Sequence, residues 1–254
     1  MPHTESFFSP QLTFTSNTDL TTNINSTIEA YLFNSNTISN EQITSFSEHY
    51  LHPHEYQVFA KRKQQQAQKE YLATRIIIKA YASQCLGYNF TELYVLFDTE
   101  KKDLNIYHNE DIIPLKCCIS HSHGQVLIAL APTTQPIKLG VDLEWISTKR
   151  SLERIANHYY HSEELAACTA QSLMLKAQAF YRIWTLKEAL SKAIKQPIAA
   201  LLRDNVFNHC EQLHVRSGCY EEFDLSIISD LEFTDNTYIK ILTGVLDQDF
   251  RNVK

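Results

Sequence analysis

Two stretches of this chain carry its strongest structural signals, LGVDLEW at residues 139–145 and FYRIWTLKEALSK at residues 180–192. Successive side chains on a strand point to opposite faces, so the first stretch predicts a strand that carries Asp142 and Glu144 on one face. The second stretch repeats its apolar residues at a helical period, which predicts a helix with Glu188 on its polar face. Together they indicate a mixed α+β fold with an acidic candidate site.

The sequence around these stretches predicts two similar sets of elements. A first strand and a short helix that begins near Ser39 or Asn40 precede a long helix over residues 61–86, which Gly87 ends. Residues 15–28 predict a loop, residues 151–168 a helix, and residues 175–195 a second long helix. Further strands are predicted at ELYVLFD (92–98), LNIYH (104–108), CCIS (117–120), GQVLIALAP (124–132), VFNHC (206–210), QLHVRS (212–217), FDLSIIS (223–229) and YIKILTGVL (238–246). This order predicts two α+β halves, residues 1–135 and residues 136–254.

Composition excludes several classes of protein. The chain has 254 residues, a formal net charge of -6 and a pI of about 6.0, which argues against nucleic-acid binding. Thirteen Tyr and thirteen Phe argue against a disordered chain. The five Gly residues form no phosphate-binding loop, which excludes a P-loop or a dinucleotide fingerprint.

The cysteines and the N-terminal sequence indicate where the chain is expected to work. Six cysteines without a CxxC pair indicate reduced thiols rather than a zinc site or a disulfide framework. The first residues, MPHTESFFSPQLTF, lack the pattern of a signal peptide, and no apolar run approaches the roughly 20 residues that cross a bilayer. We therefore expect a cytoplasmic protein without a membrane contact.

Each acidic cluster also has an ordinary structural interpretation. With 29 acidic residues in 254 positions, chance gives about 3 pairs at the spacing of Asp142 and Glu144, and such a pair can simply be solvated. Glu188 and Lys192 are four residues apart, as in a surface ion pair of a helix. Alternatively, two carboxylates on one strand face could hold a hard divalent cation.

A third cluster, ISHSHG at residues 119–124, leads into an apolar strand. Its hydroxyls, imidazoles and backbone amides suit a phosphate-binding site. Adjacent Ser and His side chains on a strand point to opposite faces, and no G-x-S-x-G turn is present. The cluster therefore does not predict an acyl hydrolase.

The order of these clusters resembles the 4′-phosphopantetheinyl transferase superfamily. Its hallmark is (I/V)-G-(I/V)-D-x-E followed by (F/W)-(S/C/T)-x-K-E-(A/S)-x-x-K, which here is LGVDLE (139–144) and WTLKEALSK (184–192), after Ser-His-Ser at residues 120–122. The length and the two-half layout are similar to the monomeric Sfp-type branch. The resemblance implies two α+β halves related by pseudo-two-fold symmetry, each a long helix on a small, mostly antiparallel sheet. The first half would hold the coenzyme A nucleotide and the second the metal.

The resemblance also implies a reaction and a set of roles. A carrier-protein serine would attack the β-phosphate of coenzyme A, which would give holo carrier protein and 3′,5′-ADP in a Mg²⁺-dependent step. The implied partner is an apo acyl, peptidyl or aryl carrier protein. The implied metal ligands are Asp142, Glu144 and Glu188; the implied coenzyme contacts are Ser120, His121, Arg75 and Lys192; the implied catalytic residues are Glu188, Lys187, Lys192 and Glu164.

Two positions depart from the family pattern. Ile113 stands where a lysine near the coenzyme nucleotide is common, and Lys195-Gln196-Pro197 stands where a Gly-rich turn is common. Basic residues of the predicted first long helix could substitute for that lysine, and Arg75 best fits the family's helix pattern: Lys61, Arg62, Lys63, Lys69 and Arg75. Two alternatives stay open, a non-catalytic binding module for coenzyme A or carrier proteins, and a Mg²⁺-dependent pyrophosphate hydrolase.

Overall fold

The computed structural model describes residues 8, 11–17, 20, 28–149, 151–168, 173–233 and 238–243. The chain forms two compact units, which we name the N-unit (residues 14–136 and 234–254) and the C-unit (residues 1–13 and 137–233). The division between residues 136 and 137 lies one residue from the predicted boundary. Each terminal segment groups with the opposite half of the sequence.

Eleven strands, eight α-helices and two 3-10 helices (Ser35–Thr37 and Phe90–Glu92) lie in the part of the chain that the structure describes. The strands are β1 Thr13–Asn17, β2 Glu29–Asn34, β3 Leu93–Asp98, β4 Asp103–His108, β5 Asp111–Ile112, β6 Leu115–Ser122, β7 Gln125–Pro132, β8 Leu139–Trp145, β9 His214–Tyr220, β10 Phe223–Ser229 and β11 Tyr238–Leu242. The α-helices are α1 Asn40–Tyr50, α2 Pro53–Phe59, α3 Gln65–Leu86, α4 Leu152–Tyr159, α5 Ser162–Ala167, α6 Leu173–Ile194, α7 Ile198–Leu201 and α8 Val206–Cys210.

The N-unit packs α3 against one large sheet. The strand order is β1-β11-β2-β7-β6-β4-β3, with β5 paired to β4, and the β11–β2 pair is parallel. A capping box between Ser39 and Gln42 begins α1, which confirms that predicted helix. The predicted end of the long helix at Gly87 is also confirmed, because Gly87 has the left-handed φ of 77° that glycine tolerates.

The long helix of the N-unit begins at Gln65, so the prediction that it starts at residue 61 is wrong. Helix α2 fills part of the preceding sequence, with Pro53 at its first position, and the backbone N–H of Arg62 bonds the carbonyl of Phe59 after that helix ends. Lysine and arginine favour a helix, so the basic run extended the prediction too far. The predicted loop over residues 15–28 begins as β1, and most of its remainder lies outside the described residues.

The C-unit packs α6 against a three-stranded antiparallel sheet of order β8-β10-β9. The sequence predicts an apolar stripe on the second long helix at residues 179, 183, 186, 190 and 194. Ala179, Ile183, Leu186 and Leu190 are buried, and Ile194 is half-buried against the same core. The strand predicted for VFNHC is wrong, because these residues form α8. The side chain of Asn205 caps that helix by accepting a bond from the backbone of Phe207.

The mixed α+β class is therefore confirmed, with helices packed on mostly antiparallel sheets in both units. The pseudo-two-fold relation between the halves stays a prediction. Across the described residues, every helix is too short or too polar to span a bilayer.

Candidate active site

Gly140 lets helix α6 approach strand β8 closely. A Cβ atom on Gly140 would lie 1.9 Å from the carbonyl oxygen of Ala189, so only glycine fits where the helix crosses the strand. Side chains two and four residues along a strand share its face, so Asp142 and Glu144 lie on the same side of β8 that packs on α6. The sequence motif thereby directs both acids toward the second motif.

Asp142 meets two residues of the second motif. Nζ of Lys192 lies 2.8 Å from Oδ1 of Asp142 and donates to the carbonyl of Val141 at 2.9 Å. Asp142 is 4% exposed, whereas Glu188 is only partly buried. Burial and the neighbouring charge of Asp142 raise the pKa of Glu188, and Lys192 counteracts this rise. The structure thus brings together Asp142, Glu188 and Lys192.

A buried polar network supports the same face of β8. Asp224 of β10 is fully buried and lies opposite Glu144, and Nη2 of Arg182 approaches its Oδ2 at 2.8 Å. The Thr185 hydroxyl lies 2.7 Å from Oδ1 of Asp224 and 2.8 Å from the Ser226 hydroxyl. These contacts join α6 to β10 beneath the acidic cluster.

The acidic set has the chemistry of a magnesium site, although no ready-made site is present. In the described part of the chain, no three His, Cys, Asp or Glu side chains are arranged to hold a metal. Lys192 already bonds one oxygen of Asp142. Burial and the charge of Asp142 both disfavour the ionised form of Glu188, and a cation beside these carboxylates would oppose that effect. The residues present therefore fit Mg²⁺, and Glu144 on the same strand face adds a third carboxylate.

Lys187 and Glu164 form a different kind of pair in the C-unit. Nζ of Lys187 lies 2.8 Å from Oε1 of Glu164, and neither side chain is exposed. The ammonium also donates to the carbonyls of Leu201 and Asp204, and Glu164 accepts from the backbone N–H of Val206. All three ammonium protons are used within the protein. The catalytic roles predicted for Lys187 and Glu164 stay predictions.

Two of the predicted coenzyme contacts, Ser120 and His121, lie in the N-unit near the end of β6. His121 is exposed, and its Nδ1 lies 2.9 Å from Oε2 of Glu70 on α3. Burial alone would raise the pKa of Glu70, but bonds from His121, Gln66 and the backbone of Gly124 outweigh it and lower that pKa. Ser120, the preceding residue, is buried, as strand alternation requires.

Arg75, a third predicted contact, lies on α3 and shares the ring of Tyr71 with a second arginine, Arg62. The guanidinium of Arg75 stacks at 4.1 Å on the ring of Tyr71, and that of Arg62 lies 4.6 Å from the same ring. Among the described residues, neither Nε atom has a hydrogen-bond partner, although both are buried. Next to Arg62, a cavity of about 370 Å³ is lined by Val58, Lys61, Arg62, Lys63, Gln64 and Ala67. Unpaired, buried guanidinium donors indicate an anion-binding region.

Several residues of these sites could not be found by motif matching. Ile113 lies in the core of the N-unit at 5% exposure, so its side chain contributes apolar packing there. Glu70 orients His121 but belongs to a helix distant in sequence, and no local signal marks it. The buried pair of Arg182 and Asp224 also joins distant elements. Gly140 and Ile113, in contrast, were visible in the sequence, the first as part of the strand motif and the second as a departure from the family pattern.

In the C-unit, the D-x-E motif of strand β8 packs against the K-E-A motif of helix α6. Residues 138–237 match the model of the 4′-phosphopantetheinyl transferase superfamily. That match covers 100 of the 254 residues and includes both motifs.

The chain is similar to the 4′-phosphopantetheinyl transferase HetI of Nostoc sp. (strain PCC 7120 / SAG 25.82 / UTEX 2576). This chain is 34% identical to it over 83 residues, which is 33% of this chain and 34% of the relative. The match thus spans about a third of the relative's length.

Proposed function

We propose that this chain transfers 4′-phosphopantetheine from coenzyme A to a serine of an apo carrier protein. The observation that supports this most directly is the meeting of Asp142 with Glu188 and Lys192, because it joins the two hallmark motifs within one unit. The superfamily match over residues 138–237 supports the same reaction.

The proposed reaction is a phosphoryl transfer. The serine oxygen forms a bond to the β-phosphorus of coenzyme A as the hydroxyl proton is released, and the bond from that phosphorus to the bridging oxygen breaks. The leaving group is 3′,5′-ADP. Positioning and charge neutralisation dominate catalysis in such transfers, so the site needs few reactive side chains.

Asp142, Glu144 and Glu188 are the proposed ligands of Mg²⁺. When bound, Mg²⁺ supplies charge neutralisation at the diphosphate oxygens. Lys192 adds a fixed positive charge, because it is held against Asp142 and the carbonyl of Val141. That charge can contact a phosphate oxygen of coenzyme A.

His121, Ser120 and Arg75 are the proposed coenzyme contacts in the N-unit. Glu70 binds Nδ1 of His121, which leaves Nε2 to donate to or accept from a ligand. The buried, unpaired Nε of Arg75 is a donor suited to a phosphate. The exposed Lys61 and Lys63 add positive charge beside Arg62.

One assay tests this function. The protein is incubated with coenzyme A, Mg²⁺ and a panel of apo carrier proteins, and intact mass is measured for a phosphopantetheine adduct on each carrier. We expect an adduct on at least one carrier and its absence when EDTA is added. Binding without an adduct would instead support a non-catalytic module, and cleavage of coenzyme A without an adduct would support a pyrophosphate hydrolase.

A further inference from the structure

The buried ion pair of the C-unit, Glu164–Lys187, which we call the sealed pair, has a counterpart in the N-unit, Glu55–Lys79. Nζ of Lys79 lies 3.1 Å from Oε2 of Glu55, and the side chains of both pairs are at most 2% exposed. Each lysine lies seven residues before the last residue of a long helix. Each glutamate is the third residue of the short helix that precedes that long helix. The two units therefore contain the same arrangement.

The hydrogen bonds around the two glutamates also correspond. Both short helices begin after a histidine, His52 or His161, whose backbone N–H donates to the glutamate in a capping box. The other oxygen of each glutamate accepts a bond from a valine N–H, Val95 at 2.9 Å and Val206 at 2.8 Å. A lone helix cap needs no buried lysine, so the ion pair is a repeated feature in its own right.

The same correspondence extends to the lysines. Nζ of Lys79 lies 4.8 Å from the centroid of the Phe90 ring, and Nζ of Lys187 lies 5.8 Å from that of Tyr160. Burial lowers the pKa of both lysines, and the paired glutamate opposes this shift in each case. Both long helices are followed by a residue with a left-handed φ, Gly87 at 77° and Lys195 at 57°.

The units differ at the residue that follows the lysine. In the N-unit this residue is Ala80, which is buried. In the C-unit it is Glu188, which faces the charge of Asp142. Because the arrangement occurs where no acidic motif follows, its general role is to fix the long helix in its unit. Only in the C-unit does fixing that helix also direct a candidate metal ligand.

We propose that Glu164 and Lys187 are positioning residues, which act on the transfer reaction only by fixing α6 and do not touch the substrate. Helix α6 is held on one side by Gly140 and by Asp224, and on another by this ion pair. Contacts on two sides fix the rotation of the helix about its axis. That rotation sets the direction of Glu188. This proposal rests on the proposed function only in its kinetic predictions.

Two matched substitutions test the role of each lysine. Lys187→Met and Lys79→Met each leave a buried carboxylate without its counter-charge, and we expect each to lower Tm by roughly 10 °C. At a temperature where both variants are folded, we expect Lys187→Met to lower kcat roughly 30-fold with little change in KM for coenzyme A, because small misplacements of a catalytic group are costly. Lys79→Met should leave kcat within about twofold. Equal losses of kcat in the two variants would show a merely structural role and overturn the proposal.

A double variant separates positioning from substrate contact. Glu164→Gln combined with Lys187→Met removes both charges, so it should have a higher Tm than either single variant. If the residues act through α6, the double variant should also recover at least part of the lost kcat. A double variant that is folded but no more active than the worse single variant would mean that these groups contact the substrate.

Hydrogen exchange gives a readout that does not need transfer activity. We expect Lys187→Met to increase amide exchange over residues 183–194, and the double variant to restore protection there. Lys79→Met should increase exchange in α3 and leave α6 unchanged. Unchanged protection of α6 in Lys187→Met would refute the positioning role. If the wild-type protein has no transfer activity, the proposed function is refuted. The exchange measurements would still test whether Glu164 and Lys187 fix α6.

Discussion

Helix α6 carries two lysine–carboxylate pairs with the same separation and very different surroundings. Lys187 with Glu164 and Lys192 with Asp142 both have an N···O distance of 2.8 Å. The side chains of the first pair are 0% exposed, whereas Lys192 is 31% exposed. Identical distances therefore do not imply identical roles.

The difference lies in the remaining partners of each pair. The ammonium of Lys187 is fully used by protein groups, so an exchange of partners would leave buried polar atoms unsatisfied. Lys192 reaches solvent, and Glu188 stands beside it with a raised pKa. Lys192 and Asp142, which we call the open pair, can exchange each other for a phosphate or a cation at a low cost in free energy. The sealed pair stabilises the fold, and the open pair offers the chemistry.

Removing the carboxylate charge of Asp142, the acid of the open pair, should have the largest effect. We expect Asp142→Asn to reduce transfer by roughly 10³-fold or more, because several kcal/mol of charge stabilisation are lost. Intact mass of an apo carrier after reaction with coenzyme A measures this loss. The exposed Glu153→Gln on α4 is the control and should retain full activity. Asp142→Asn with normal turnover would contradict the assignment of Asp142 as a metal ligand.

The close approach of α6 to β8 should give the next largest effect. Gly140→Ala would place a Cβ atom against the Ala189 carbonyl, which belongs to backbone and cannot rotate away. We expect a loss of about 3 kcal/mol in the free energy of unfolding. Urea denaturation measures it. Gly218→Ala is the matched control, since its Cβ would lie 3.1 Å from Cβ of Leu12, a much milder contact than the 1.9 Å at Gly140. Equal losses in both variants would mean that the helix does not depend on Gly140.

The polar network beneath the open pair should have a smaller effect. Thr185→Val keeps the side-chain shape and removes the hydroxyl that lies 2.7 Å from Asp224. We expect a loss of about 1–2 kcal/mol in the free energy of unfolding, because Arg182 still bonds the same carboxylate. Thermal denaturation of Thr185→Val and Thr185→Ser distinguishes the hydroxyl from the methyl group. A variant Thr185→Val as stable as the wild type would show that the network adds nothing to the anchoring of α6.

The sequence predicted local features well and long-range pairing poorly. Strand alternation placed Asp142 and Glu144 on one face, and the glycine at residue 87 marked the end of α3, because both signals lie within a few residues. The i, i+4 spacing of Glu188 and Lys192 could not show that Lys192 also bonds Asp142 on β8. A pairing of that kind depends on how helix and strand pack.

The two short capped helices, α2 and α5, could not be predicted for a related reason. The N-cap residues His52 and His161 are not among the usual capping residues, so neither α2 nor the separate α5 was predicted. The strand prediction for VFNHC followed local β-propensity, which the Asn205 cap and burial override. Likewise, the contact of Glu70 with His121 has no signal in either local sequence.

The smallest effect is expected for Glu188→Gln, which tests whether ionised Glu188 beside the open pair destabilises the folded protein. The pKa of Glu188 is raised in the folded protein, so the folded state loses stability as the pH rises from the unfolded pKa toward the folded pKa. Above that interval the penalty is complete. Glu188→Gln removes it, and we expect the metal-free variant to be about 0.5–1 kcal/mol more stable than the wild type at pH 7. The gain should vanish below about pH 4, where Glu188 is protonated in both states. Urea denaturation in EDTA at the two pH values measures the difference, with Glu153→Gln as the exposed control. A variant less stable than the wild type at pH 7 would mean that burial and the charge of Asp142 do not destabilise ionised Glu188 in the folded protein.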